Sequence, residues 1–290
     1  MSAADPIGVF DSGVGGLSVL HEIRRALPGE DLLYVADSAH APYGDKSQQF
    51  IEARSIAITE FLVSRNAKAI VVACNTATGA AITTLRSRFS MPIIAMEPAV
   101  KPAVANTRSG VIGVLATSRT LASDNFVKLF ARYGTDVEIL GQACPGLVEQ
   151  VEAGDLSGDK TRLLLEQYVI PLLEQKADTI VLGCTHYPFL APLIQNIAGP
   201  GVAVIDSAAA VARQLRRRLE VAGLLADAAK AGGESFWTSG SLGKAQSLVS
   251  ELWQAEVAVC ALPSLRKRLA MTESDSVVGA GHALDIFGNN

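Results

Sequence analysis

Along this chain short apolar runs alternate with stretches in which apolar residues recur every three or four positions. The runs lie at 6–10, 31–36, 68–73, 91–96, 111–115, 136–140, 178–183, 202–205, 235–238 and 257–262. Runs of this length, rich in Val and Ile and bounded by turn residues, predict strands buried on both faces. Between them Leu20, Ile23 and Leu27 fall on one helical face, as do Ile51, Ser55, Ile58 and Leu62, and Ile82, Leu85 and Phe89. Val211, Leu215 and Leu219 form a further stripe, and Ala245, Leu248, Val249 and Leu252 another. Each such helix has one face to lay on a sheet. Strand and helix in regular alternation predict an α/β protein built from βαβ units around parallel sheet.

Ten strands are many for one open sheet, and the chain hints at a duplication. Gly8-Val9-Phe10-Asp11-Ser12 resembles Gly113-Val114-Leu115-Ala116-Thr117, 105 positions on. Ile70-Val71-Val72-Ala73-Cys74-Asn75-Thr76-Ala77 resembles Ile180-Val181-Leu182-Gly183-Cys184-Thr185-His186-Tyr187, 110 positions on. Matches this short also arise by chance; two at nearly one offset predict two similar halves that share a cleft. Ligands in open α/β sheets bind beyond the carboxyl ends of strands, which would turn Asp11, Cys74, Thr117 and Cys184 toward one pocket.

Composition narrows the class. Hydrophobic residues make up 49% of the 290 positions against 19% charged, a globular balance. A net charge of −4 argues against a nucleic-acid partner. The amino terminus lacks the basic and apolar regions of a leader, and no apolar stretch reaches the roughly 18 residues of a membrane span. The chain therefore reads as soluble and cytoplasmic with reduced thiols. From about Thr272, with Gly279, Gly281 and Gly288, it reads as a loosely held tail.

The cysteines carry the candidate chemistry. Cys74, Cys144, Cys184 and Cys260 lie far apart without a CxxC pair, so neither a zinc knuckle nor a disulfide framework is indicated. Cys74 and Cys184 each end a strand where a helix would begin, a position expected to favour the thiolate. Asn75, Thr76 and Thr185 follow as cap or ligand-binding residues, and His186 stands where it can trade a proton with Cys184. Cys144 and Cys260 lack such neighbours and read as packing residues. Asp11-Ser12-Gly13-Val14-Gly15-Gly16 offers backbone N–H groups to an anion, or is a tight turn capped by Asp11; it fits neither nucleotide fingerprint. Pro42-Tyr43-Gly44, just after Asp37, is turn chemistry or a loop that closes over a small ligand.

Four blocks, Asp11 to Ser18, Pro42-Tyr43-Gly44, Ala73 to Ala77 and Leu182 to Pro188, together resemble glutamate racemase, of the cofactor-independent aspartate/glutamate racemase superfamily. The blocks occur in the family's order over residues 7–190, and the strand and helix rhythm fits to about 265. Gly79, where alanine or serine is expected, is a small departure. The resemblance implies two doubly wound, flavodoxin-like domains with the active site in the cleft between them. The first would comprise 1–97 plus 208–265 and the second 98–207, with a tail at 266–290. It implies racemisation of glutamate without cofactor or metal, Cys74 deprotonating D-glutamate and Cys184 L-glutamate, with Asp11 assisting the first and His186 the second. Ser12, Tyr43, Gly44, Asn75, Thr76 and Thr185 would bind substrate, with Asp11, Pro42, Thr117 and His186 beside them. Glu152 reads either as a pocket neighbour or as a surface helix residue. D-Glutamate would supply bacterial peptidoglycan; some relatives form homodimers, and some take a cell-wall precursor as activator. Racemisation of aspartate or a hydantoin, a Cys74–Cys184 redox pair and a non-catalytic small-molecule binder stay open as alternatives.

Overall fold

The computed structural model describes residues 1–265 apart from Asp136 and Ala228, so the expected tail lies outside the described residues. Ten strands stand where the apolar runs predict them: β1 (Ile7–Asp11), β2 (Leu32–Ala36), β3 (Ala69–Val72), β4 (Ile93–Ala95), β5 (Val111–Ala116), β6 (Glu138–Ala143), β7 (Thr179–Leu182), β8 (Ala203–Ile205), β9 (Glu234–Thr238) and β10 (Val259–Ala261). The helices that cover them in the first part of the chain are α1 (Leu17–Ala26), α2 (Gln48–Ser64), α3 (Asn75–Arg88) and α4 (Val100–Asn106). They continue with α5 (Ser118–Leu121), α6 (Asp124–Tyr133), α7 (Leu147–Glu152), α8 (Asp159–Glu174), α9 (Ala191–Ala198), α10 (Ala208–Ala222) and α11 (Leu242–Trp253). Among the described residues, no helix is long and apolar enough to cross a membrane.

The strands form two sheets, of order β10-β9-β2-β1-β3-β4 and β6-β5-β7-β8, with every pairing parallel. Set aside β10 and β9 and the orders coincide, with β1 and β5 as equivalent central strands. The register agrees with the repeat read from the sequence. Gly8 pairs with Leu33 and Ile70, and Gly113 with Leu140 and Ile180. A Cβ on Gly8 would come within 3.0 Å of Ile70 Cδ1, and one on Gly113 within 2.7 Å of Leu172 Cδ1. Both glycines let neighbouring side chains settle close to a central strand.

Alternation along the strands builds the core. On β3 and just beyond it, Ile70, Val72 and Cys74 enter one apolar cluster, while Ala69, Val71 and Ala73 enter another. The second cluster also holds Ile180, Leu182 and Cys184, so one apolar core runs through both halves. The chain returns to the first sheet after β8: α10 packs on α1, and β9 pairs with β2.

One reading is corrected here and one position gains a structural setting. Cys260 is exposed rather than packed, because β10 is the edge of its sheet and an apolar run at an edge leaves one face uncovered. Gly79, the departure from the family pattern, sits where α3 meets the second half, and a Cβ there would lie 3.1 Å from Ser123 Cβ. A larger residue would press on that contact.

Candidate active site

The carboxyl ends of β1, β3, β5 and β7 converge. They bring Ser12, Cys74, Asn75, Thr76, Thr117, Cys184, Thr185 and His186 around one cavity, joined by Pro42, Tyr43, Gly44 and Val148. Every residue expected to bind substrate lines it except Asp11, and both strand-end thiols face into it. Sequence reasoning missed Val148, whose apolar character gives no chemical signal. The enclosed volume is about 10 Å³, room for about one water molecule. As it stands the cavity is too small for an amino acid.

At the first thiol the cysteine is its own helix cap. Cys74 is extended (φ −147°, ψ 120°), and its sulfur accepts the Ala77 N–H at 3.4 Å. Asn75 and Thr76, expected as caps, are thereby free for other work. Thr76 reaches across the cleft to the Thr117 and Thr120 hydroxyls at 2.9 and 3.1 Å. The side-chain amide of Asn75 is buried with neither Oδ1 nor Nδ2 hydrogen-bonded among the described residues. A buried amide left without partners costs a few kcal/mol, and this one borders the cavity with its hydrogen-bonding capacity unspent.

At the second thiol the helix does not follow directly. A 3-10 turn (Tyr187–Leu190) intervenes and α9 begins only at Ala191. Thr185 is accordingly no cap, and its hydroxyl lies 3.4 Å from both oxygens of Asp11. His186 Nδ1 sits 3.8 Å from the Cys184 sulfur and 4.0 Å from Asp11 Oδ2. Its Nε2 is 2.8 Å from Glu152 Oε1 and 3.3 Å from the Gly15 nitrogen. One ring nitrogen cannot both donate to the carboxylate and accept from the amide; the shorter, charge-assisted contact to Glu152 prevails.

The loop after β1 spends its Val14 and Gly16 amides within the protein. Its amides face the protein's own groups: Val14 N–H donates to Glu152 Oε1 at 2.7 Å and Gly16 N–H to Asp11 Oδ2 at 2.8 Å. Asp11 is therefore the turn's cap, enclosed behind Ser12 and Thr185, and within reach of both thiol stations rather than of the cavity. The glycines keep this loop under the second half. A Cβ on Gly13 would stand 1.8 Å from Glu152 Oε1, and one on Gly15 2.2 Å from His186 Nδ1. Glu152 is thus a neighbour of the site and not a surface residue.

Charge states follow from burial and neighbours. Burial pushes the Cys74 thiol well up, the Asp11 carboxylate raises it further, and the Ala77 N–H only partly opposes them. The expectation that a helix start favours the thiolate thus fails at Cys74, because one N–H does not outweigh desolvation beside a carboxylate. Burial also opposes charge on His186, but Cys184, Glu152 and Asp11 overcome it and hold the imidazolium well above the usual histidine range. Asp11 is raised by burial against the pull of His186, Cys74 and the Gly16 N–H.

Behind the Pro42–Gly44 loop stands a buttress. Asp37 accepts the Tyr43 hydroxyl at 2.6 Å, His40 Nδ1 at 3.0 Å, and Arg54 Nε and Nη2 at 2.9 and 2.7 Å. Burial would raise Asp37, yet Arg54 and Tyr43 hold it below the usual carboxylate range. Among the described residues, no cluster of acidic, histidine and cysteine side chains has the makings of a metal site.

Known proteins with this arrangement are racemases. The family described as Asp/Glu/Hydantoin racemase matches residues 7–215. A glutamate racemase from Methylococcus capsulatus is 57% identical over 259 residues, 89% of this chain and 96% of that protein. Among solved structures, glutamate racemase isoform RacE1 of Bacillus anthracis superposes with a TM-score of 0.82 at 34% identity, covering 91% of this chain and 99% of that one. The Escherichia coli glutamate racemase, solved with L-glutamate and the activator UDP-MurNAc-ala, gives 0.78 at 35% identity, covering 88% and 97%. Family match, relatives and superposed folds agree with one another: the chain is a racemase of the Asp/Glu/Hydantoin racemase family, with its likeness among the glutamate racemases.

Proposed function

We propose that this racemase interconverts L- and D-glutamate by moving the α-proton between two cysteines. The observation that carries the reading is a single cavity lined by two thiols from equivalent strand ends of two similar sheets. Inverting an α-carbon needs a base on one face and an acid on the other, and the roles exchange when the direction reverses. Cys74 takes the proton of D-glutamate and Cys184 that of L-glutamate. Asp11, beside Cys74, and His186, beside Cys184, help each sulfur change protonation state; Glu152 holds the histidine in place.

Developing negative charge on the substrate has no bound electron sink in this reading. Neutral donors aimed at the α-carboxylate do that work: Ser12, Asn75, Thr76 and Thr185, with Tyr43 and Gly44 closing the far side. The orphaned Asn75 amide and the free thiols support this role. The reading adopts a first domain of 1–97 with 208–265 and a second of 98–207, since β9 and β10 join the first sheet. Cytoplasmic supply of D-glutamate to bacterial peptidoglycan is the physiological role that accompanies it.

The test follows the circular dichroism of L-glutamate, and separately of D-glutamate, with the reduced protein and no added cofactor. It is run with and without UDP-MurNAc-ala, the activator of the Escherichia coli structure. Both signals are expected to decay toward zero while L-aspartate holds steady. Steady glutamate signals under both conditions would overturn the reading, and decay of aspartate alone would move the substrate assignment.

Geometry gives a second check. Gly15→Ala would force its new methyl into the His186 ring. A displacement of that size at a proton-transfer group is expected to lower turnover about 10²-fold. Far-UV dichroism is expected to match the wild type; undiminished turnover would show that the ring need not stay where it is.

A further inference from the structure

The reaction cavity is poorly furnished for attracting its substrate. Glutamate carries one net negative charge, yet among the described residues no lysine or arginine lines the cavity, and the candidate cation there, His186, is already engaged by Glu152. Asp11, Asp37 and Glu152 stand close behind, and the whole chain carries a net charge of −4. An incoming anion meets a repulsive field unless something at the entrance offsets it.

A groove of about 330 Å³ adjoins the cavity and shares Gly44 and Thr76 with it. Thr76, which lines both, makes a hydroxyl contact with Thr117 of the cavity at 2.9 Å. Arg119 lines this groove from α5, two residues beyond Thr117. Its Nε is buried without a hydrogen-bond partner, and among the described residues no ion pair engages its guanidinium. Arg24, Arg54 and Arg88 by contrast each hold a carboxylate. Asp124 also lines the groove, on the first turn of α6, without pairing with Arg119. A half-buried guanidinium with no anion of its own is a standing binding element for one.

We propose that Arg119 captures the dicarboxylate substrate at the mouth of the cleft and hands it inward. This rests on the glutamate reading. Arg119 touches substrate on entry and departure and takes no part in the proton transfers. Its contribution is then one of capture: it enters KM and the salt dependence of kcat/KM, and leaves kcat alone.

The experiment compares wild type, Arg119→Gln and Arg119→Lys by the dichroism assay, in both directions, across ionic strength. For Arg119→Gln, kcat is expected to stay within about twofold while KM rises about tenfold. Salt is expected to lower wild-type kcat/KM and to affect the glutamine variant much less, because screening acts on a charge the variant no longer has. Arg119→Lys, which keeps the charge, is expected to recover most of the lost kcat/KM. An unchanged KM, a wild-type salt dependence in Arg119→Gln, or a lysine variant no better than glutamine would each overturn the assignment. If Arg119→Gln fails to fold, Arg119→Lys decides: a salt dependence and KM near wild type support capture by charge, and a loss of kcat overturns it. A wild-type protein inert toward both enantiomers would instead remove the glutamate reading itself.

Discussion

Replacing either Cys74 or Cys184 with alanine is expected to abolish racemisation in both directions, by about 10³-fold or more. In the proposed mechanism each thiol serves both directions, as base in one and acid in the other, so losing one leaves no half of the reaction intact. The double variant is expected to be no worse than either single one, since groups that act as a unit do not lose activity additively. Dichroic decay of glutamate measures this directly. Cys260→Ser is the matched control: that thiol is exposed on an edge strand far from the strand ends that build the site, and its loss is expected to leave the rate unchanged. A Cys74 or Cys184 variant that keeps a tenth of the wild-type rate would sink the two-thiol mechanism while leaving the family assignment standing.

Arg54→Leu is expected to cost about 3–5 kcal/mol of stability at neutral pH, because it leaves the Asp37 carboxylate buried with its main partner gone. The two side chains are 16% and 0% exposed, so solvent screens the pair little. For a protein of this size that is a fall in melting temperature of roughly 10 °C. The sign of the pH dependence follows from the direction of the Asp37 shift. The wild-type carboxyl is held below its ordinary 3.8. The stabilisation it brings is therefore present above the unfolded-state value and is lost as pH falls through the lower folded-state one. The gap between variant and wild type is expected to be full at pH 7 and to shrink below about pH 4. Thermal melts across pH 3–7 measure it. The same variant frees the Tyr43 hydroxyl's anchor, so KM for glutamate is expected to rise. Equal melting temperatures at pH 7 would show that the Arg54 pair does not brace this loop.

The amino-acid sequence by itself determined the ten strands, the single faces of the main helices, the two-fold repetition and most of the residues that gather at one cavity. All of these depend on periodicity and on short local blocks, which a strand or helix imposes wherever the chain goes. It also pointed to one pocket, because parallel strands present their carboxyl ends on one side and Cys74 and Cys184 each end a strand. Who touches whom inside that pocket was decided only in three dimensions. Asp11 reads equally well as cap or ligand until Gly16 N–H and Thr185 are seen to claim it. Glu152 reads as pocket neighbour or surface helix residue alike until Val14 and His186, on separate stretches of chain, close on its carboxylate. Arg54 lies on the polar side of a helix, and nothing in its spacing says that it braces a loop ahead of it. Cys74 invited the expectation of a thiolate, and the reversal came from two quantities the sequence does not carry, the depth of burial and the nearness of a carboxylate. Periodicity is local information, whereas desolvation and hydrogen-bond partners belong to the way two halves of the chain meet, and that is settled by packing.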